Sequence, residues 1–78
     1  MKLEIISPER ILYQGEAGMV MLPGIMGNFT ILENHAPIVS VLKNGVVSYG
    51  STAETTDIKI ESGFVEANNN KVTVCVEV

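Results

Sequence analysis

The sequence predicts an all-β fold, an antiparallel sandwich or a small barrel, and three observations carry that prediction. The last segment alternates without an error, with Val72, Val74, Val76 and Val78 on one side and Lys71, Thr73, Cys75 and Glu77 on the other, the period of a strand with one face buried. Glycine and proline recur at short intervals (Pro8, Gly15, Gly18, Pro23, Gly24, Gly27, Pro37, Gly45, Gly50, Gly63) and leave almost no window for a three-turn helix. Short apolar runs separated by turn signals every 8–12 residues or so are the mark of small β-sandwiches and barrels.

The elements follow in chain order. Lys2–Ile6 reads as a first strand, Ile11–Leu22 as extended chain interrupted near Gly15–Gly18, and Asn28–Leu32 as a further strand. Ile38–Leu42 and Val46–Tyr49 flank Asn44-Gly45, a pair that favours the two positive φ angles of a type I′ turn, so these two runs are expected to form a hairpin. Between Gly50 and Gly63 the run is rich in threonine, and Ile58 and Ile60 alternate with Asp57, Lys59 and Glu61, so its second half reads as strand. Phe64–Ala67 and Lys71–Val78 form a second expected hairpin around Asn68-Asn69-Asn70, residues that tolerate left-handed backbone. No repeat, linker or low-complexity tract divides residues 1–78, and 78 residues make one domain.

Composition narrows the function classes. Apolar residues make up 46% of the chain and charged residues 18%, enough oil for a core and too little charge for disorder. A chain of this size buries only about 60% of the surface its unfolded form exposes, so its core is thin and a partner surface would add to its stability. Five Lys/Arg against nine Asp/Glu give a net charge of −4, with an isoelectric point near 4.7. Without a basic cluster the chain lacks the footprint for nucleic acid or for an anionic lipid surface, which leaves protein partners. One cysteine, Cys75, fits a reducing compartment. MKLEIISPER carries Glu4 and Pro8 where a signal peptide needs roughly 7–15 unbroken apolar residues, and no run approaches the roughly 18 apolar residues of a spanning helix. A soluble, cytosol-facing chain is expected, in which the sequon Asn28-Phe29-Thr30 stays unmodified.

Catalytic equipment is not visible. His35 is the single histidine and Cys75 the single thiol, and no local motif joins them to each other or to an acid, so a turn or interface role suits His35 and a packing role suits Cys75. Pro23-Gly24-Ile25-Met26-Gly27-Asn28 holds two glycines, but neither a Lys-Ser/Thr pair nor a helix follows, so it reads as a turn and not as a phosphate cradle. The carboxylates Glu54, Asp57, Glu61, Glu66 and Glu77 are spaced as a solvated face. No catalytic, cofactor-binding or metal-binding residue is therefore assigned. Lys43, directly before Asn44-Gly45, keeps one alternative open: lipoyl and biotinyl carrier domains are small acidic β-domains modified on a hairpin lysine, although theirs is flanked as Asp-Lys-Ala or Met-Lys-Met and not by Leu42 and Asn44. A different feature points to docking. Along Met19-Val20-Met21-Leu22, and along Ile38-Val39 and Val41-Leu42, alternation fails because nearly every position is apolar. A single core covers one face of such a strand, so the other is either covered by a loop or the second sheet, or is a docking surface.

Taken in order, Ser7-Pro8-Glu9, Gly15-Glu16-Ala17, Pro23-Gly24, Gly27-Asn28-Phe29, Asn34-His35-Ala36-Pro37 and Leu42-Lys43-Asn44-Gly45 resemble the epsilon subunit family of the rotary ATP synthase, and Ser62-Gly63-Phe64-Val65-Glu66 with Lys71-Val72-Thr73-Val74 resembles its closing strands. The resemblance spans nearly the whole chain and implies a small antiparallel β-sandwich of about ten short strands. It implies a non-catalytic rotor subunit at the cytoplasmic face of the bacterial inner membrane, bound to the gamma subunit and to the ring of membrane c-subunits. Such a subunit couples proton-driven rotation of the ring to the shaft during ATP synthesis. Neither a cofactor, nor direct lipid insertion, nor homo-oligomerisation belongs to that picture. Carried over by position, the gamma contacts are Ser7, His35, Ala36 and Val39, and the ring contacts are Gly27, Asn28 and Phe29. The family usually has an acidic residue in place of Asn28, a glycine in place of Thr30 and a proline in place of Glu33. Most members also continue into a C-terminal helical hairpin, which 78 residues ending at Val78 leave no room for, so a short form without hairpin-based braking is the expectation.

Overall fold

The structure, a computed structural model, describes residues 1–78 as nine strands with no helix: β1 (Lys2–Ile6), β2 (Ile11–Glu16), β3 (Met19–Gly24), β4 (Gly27–Leu32), β5 (Ile38–Leu42), β6 (Gly45–Gly50), β7 (Thr55–Ile60), β8 (Ser62–Asn68) and β9 (Lys71–Glu77). The all-β expectation holds, with nine strands where about ten were expected. The strands form one curled sheet in the order β2-β1-β9-β8-β5-β3-β6-β7, with β4 paired to β3. β5 and β3 touch through one pair, Gly24 opposite Leu42. At that joint the sheet folds over on itself, so that β2-β1-β9-β8-β5 and β4-β3-β6-β7 face each other across a shared core. One pairing departs from an antiparallel plan: β1 lies parallel to β9, Leu3 beside Val72 and Ile5 beside Val74. The first hairpin of the chain thereby docks on its last strand.

Sixteen buried hydrophobic residues make a single cluster. Leu3, Ile5, Leu42, Val65, Ala67, Val72, Val74 and Val76 come from the first layer, and Val20, Leu22, Ile31, Val47, Tyr49 and Ile60 from the second. No polar or charged side chain is buried among them, so burial of apolar area drives the closure of the sheet with no polar side chain to desolvate in the core. Met1 also lies in this cluster, although its place at the start of the chain gives no periodic signal. Tyr13 of β2 packs on Tyr49 of β6 with ring centroids 4.4 Å apart and planes tilted by 42°, a favourable offset geometry that ties the edge of one layer to the middle of the other.

The two hairpin expectations part company. β8 and β9 form the expected hairpin, joined by Asn69 and Asn70 at φ 52° and 60°, the positive pair of a type I′ turn. Asn44-Gly45 forms none: β5 pairs with β8 and β6 with β3 and β7, so β5 and β6 lie in different layers. Neither residue has a positive φ. Position 45 needs a glycine because the chain crosses between layers there against Pro23, where a β-carbon would stand 2.7 Å from the Pro23 β-carbon.

Candidate partner interface

The outer face of the first layer carries the feature that core formation does not explain. Register aligns Val41, Phe64, Cys75 and Ile6 as one row across β5, β8, β9 and β1. Val41 and Phe64 stay half exposed, and Val39, on the same side of β5, is 74% exposed. The apolar excess along β5 therefore lies bare, neither loop nor sheet covering it. Beside the row runs an open groove of about 490 Å³ lined by Ile6, Ser7, Pro8, Val41, Phe64 and Cys75 among others. The next row, Val39, Glu66, Thr73, Glu4 and Gln14, places two carboxylates along the apolar strip. Burial pushes the Cys75 thiol above its ordinary range, and the charges of Glu4 and Glu66 push it the same way. An apolar strip flanked by carboxylates is equipped to dock a surface with an apolar ridge and basic flank, because exclusion of water supplies affinity while charge sets register.

Of the residues expected at a gamma contact, Val39 lies on this face, Ser7 lines its groove, and His35 and Ala36 lie in the loop that leads into β5. Ser7 closes the turn after β1, its amide donating to the Arg10 carbonyl at 2.9 Å and its hydroxyl to the same oxygen at 3.2 Å. That turn places Ser7 in the groove at the Leu42 end of β5. His35 and Ala36 precede the opposite end of β5. His35 Nδ1 lies against the Ala36 carbonyl oxygen, its Nε2 is buried without a partner, and Ala36 is exposed. The adjacent loop is tied to the β8–β9 turn, the Asn34 amide donating to Asn70 Oδ1 at 3.1 Å. Val39 thus stands between two fixed ends, Ser7 at one and His35-Ala36 at the other. Phe64, the largest exposed side chain of the face, is absent from the contacts expected from the sequence, whereas Val41 belongs to the over-apolar run that pointed to docking. For Phe64 the signal was an aromatic at an outward position of an alternating strand.

The residues expected at a ring contact sit on the β3–β4 hairpin. Gly27 and Asn28 begin β4 and are exposed, whereas Phe29 points inward, half-buried against the core. A β-carbon at Gly24 would stand 2.8 Å from the Phe29 ring, so the ring and the bare glycine fit each other. The tip consists of Ile25, 55% exposed, and Met26, 96% exposed. Two backbone bonds brace it on the first layer: the Ile25 amide donates to the Val41 carbonyl at 3.1 Å and the Lys43 amide to the Pro23 carbonyl at 2.9 Å. Two large apolar residues between Gly24 and Gly27 were the sequence signal for this tip.

No group of three or more His, Cys, Asp or Glu side chains gathers as a metal-ligand set. His35 lies in the β4–β5 loop and Cys75 on the outer face of β9. Lys43 follows β5 at the crossing between layers and does not stand on a β-hairpin, which removes the geometry on which the carrier alternative rested.

Comparison with known proteins agrees with this arrangement. The family model described as "ATP synthase, Delta/Epsilon chain, beta-sandwich domain" matches residues 1–78. The ATP synthase epsilon chain of Leptospira borgpetersenii is 39% identical over 77 residues, which cover 99% of this chain and 61% of that protein. Its counterpart in Campylobacter fetus is 43% identical over 76 residues, 96% of this chain and 59% of that protein. The epsilon chain of Chlorobium limicola is 36% identical over 77 residues, 97% of this chain and 88% of that protein. The chain thus spans about three fifths of the length of the first two relatives. Among solved structures, a chain of the Tetrahymena thermophila mitochondrial ATP synthase central stalk and c-ring superposes with a TM-score of 0.81 at 15% identity, covering 99% of this chain and 63% of that one. A chain of the Euglena gracilis mitochondrial ATP synthase gives 0.87 at 17% identity, with 95% and 48% covered. These two likenesses concern the fold.

Proposed function

Because the chain belongs to the delta/epsilon β-sandwich family of the ATP synthase, we propose that it is a non-catalytic subunit of the central stalk, coupling the c-ring to the gamma shaft on the cytoplasmic side of the membrane. The observation that carries this reading is the outward apolar row of Val41, Phe64, Cys75 and Ile6, half exposed at Val41 and Phe64, with Val39 exposed beside it. A small domain with a thin core has no use for such a strip except to cover it with a partner. Gamma is the partner of this face, and Ser7, His35, Ala36 and Val39 mark its extent. The hairpin tip, with Gly27 and Asn28 at its base, faces the ring. A domain docked at two places turns with both, and load passes between them through the bonds that join β3 to β5.

Calorimetric titration of the chain into gamma subunit from the same cell tests the gamma face. Saturable one-to-one binding with a negative heat-capacity change is expected. Val39→Glu should weaken it about tenfold or more by burying a charge in the apolar strip. Circular dichroism should be unchanged, because Val39 contributes almost nothing to the core. Equal affinity of both proteins would count against the assignment of this face.

A further inference from the structure

We propose that Met26 is an oxidation-sensitive docking residue, whose conversion to the sulfoxide blocks the seating of the β3–β4 hairpin tip; this inference rests on the ring contact proposed above. The four methionines occupy very different surroundings. Met1 is in the core, Met19 half-buried, Met21 38% exposed on the outer face of β3, and Met26 96% exposed at the hairpin tip. Thioether oxidation follows access, so Met26 reacts first. The sulfur lone pair attacks one oxygen of hydrogen peroxide, the S–O bond forms as the O–O bond breaks, and the departing hydroxide takes up a proton as water. Sulfur gives up two electrons, and the peroxide is reduced.

The consequence follows from the tip's construction. Ile25 and Met26 stand side by side on a support braced by the Ile25–Val41 bond and by the close fit of Gly24 to Phe29. Ordered before it meets a partner, the tip loses little entropy on docking. No charged side chain occurs from Pro23 to Leu32, so the seat it fits is an apolar depression on protein. An anionic bilayer would repel a chain of net charge −4, and two side chains bury too little to hold it there. The sulfoxide replaces an adaptable apolar group with a polar one whose oxygen finds no donor in such a seat. Once seated, Met26 is covered, so the free chain is the sensitive form and oxidation acts on assembly.

The test treats the chain briefly with hydrogen peroxide, follows the methionine-containing peptides by mass spectrometry, and titrates each sample into gamma alone and into a gamma–c-ring subcomplex. Met26→Leu and Met26→Gln are carried alongside. Expected results are oxygen uptake at Met26 several-fold faster than at Met21, and affinity for the subcomplex lowered about tenfold by oxidation and by Met26→Gln. Met26→Leu should bind like the untreated chain and be indifferent to peroxide, and binding to gamma alone should be the same in all samples. Equal rates at Met21 and Met26, or unchanged affinity of the oxidised chain for the subcomplex, would overturn the proposal. Failure of the untreated chain to bind even gamma would instead overturn the function proposed above, and the seat with it.

Discussion

Gly45 lies against the ring of Pro23 so closely that a β-carbon at position 45 would stand 2.7 Å from the Pro23 β-carbon and 3.1 Å from its γ-carbon. The contact sits where β5 hands over to β6 and where the Lys43 amide bonds the Pro23 carbonyl. Gly45→Ala should therefore cost about 1–3 kcal/mol by overpacking. Part of that cost should vanish when Pro23→Gly is present, giving a coupling of about 1 kcal/mol or more in a double-mutant cycle by urea unfolding. A cost independent of position 23 would mean that backbone angle, and not close approach, fixes the glycine.

The β8–β9 turn makes a different use of its residues. Asn69 and Asn70 both have left-handed backbone, but only the Asn70 side chain is also engaged, accepting the Asn34 amide at 3.1 Å. Asn69→Gly should leave stability within about 0.5 kcal/mol of the parent, since glycine takes that backbone without steric cost. Asn70→Gly should lose about 0.5–1.5 kcal/mol with the hydrogen bond. Asn69→Val should lose about 1–2 kcal/mol because a branched β-carbon is forced into the left-handed region. Urea midpoints rank the three, and equal effects of glycine at 69 and 70 would remove any role for the Asn34 bond.

These two turns show why the sequence was legible in one place and not in another. β9 and its hairpin are local: alternation specifies the face and adjacent asparagines specify the reversal. Asn44-Gly45 offered the same local signal, yet β5 already pairs with β8, a strand some twenty residues onward, and the burial of Leu42 against Gly63 overrides the turn preference. The parallel β1–β9 pair joins the two ends of the chain, a relation that local periodicity cannot express. Of the candidate interface, the apolar excess at Val39 could be read from its own strand. The row to which it belongs could not, because Val41, Phe64, Cys75 and Ile6 meet only through three strand registers. Phe29 shows the reverse relation, an aromatic beside an exposed turn that the register turns inward, half-buried, opposite Leu22.

Cys75 reports on that row chemically. Burial is the largest cause of its raised pKa, followed by the charges of Glu4 and Glu66, all acting from an ordinary thiol value of 9.0. Since the thiolate is the nucleophile, alkylation by iodoacetamide should rise with pH to a midpoint above 9.0. Glu66→Gln should move that midpoint down by removing one repelling charge, yet leave it above the ordinary value because burial persists. The sign for stability follows from proton affinity. The folded chain holds this proton more tightly than the unfolded chain, so the contribution is whole below 9.0 and is lost as pH rises through the folded value. Docking on gamma should deepen the burial and slow alkylation further at every pH. A midpoint at or below 9.0, or a rate indifferent to bound gamma, would mean that the row of Ile6, Cys75, Phe64 and Val41 neither shields the thiol nor lies under the partner.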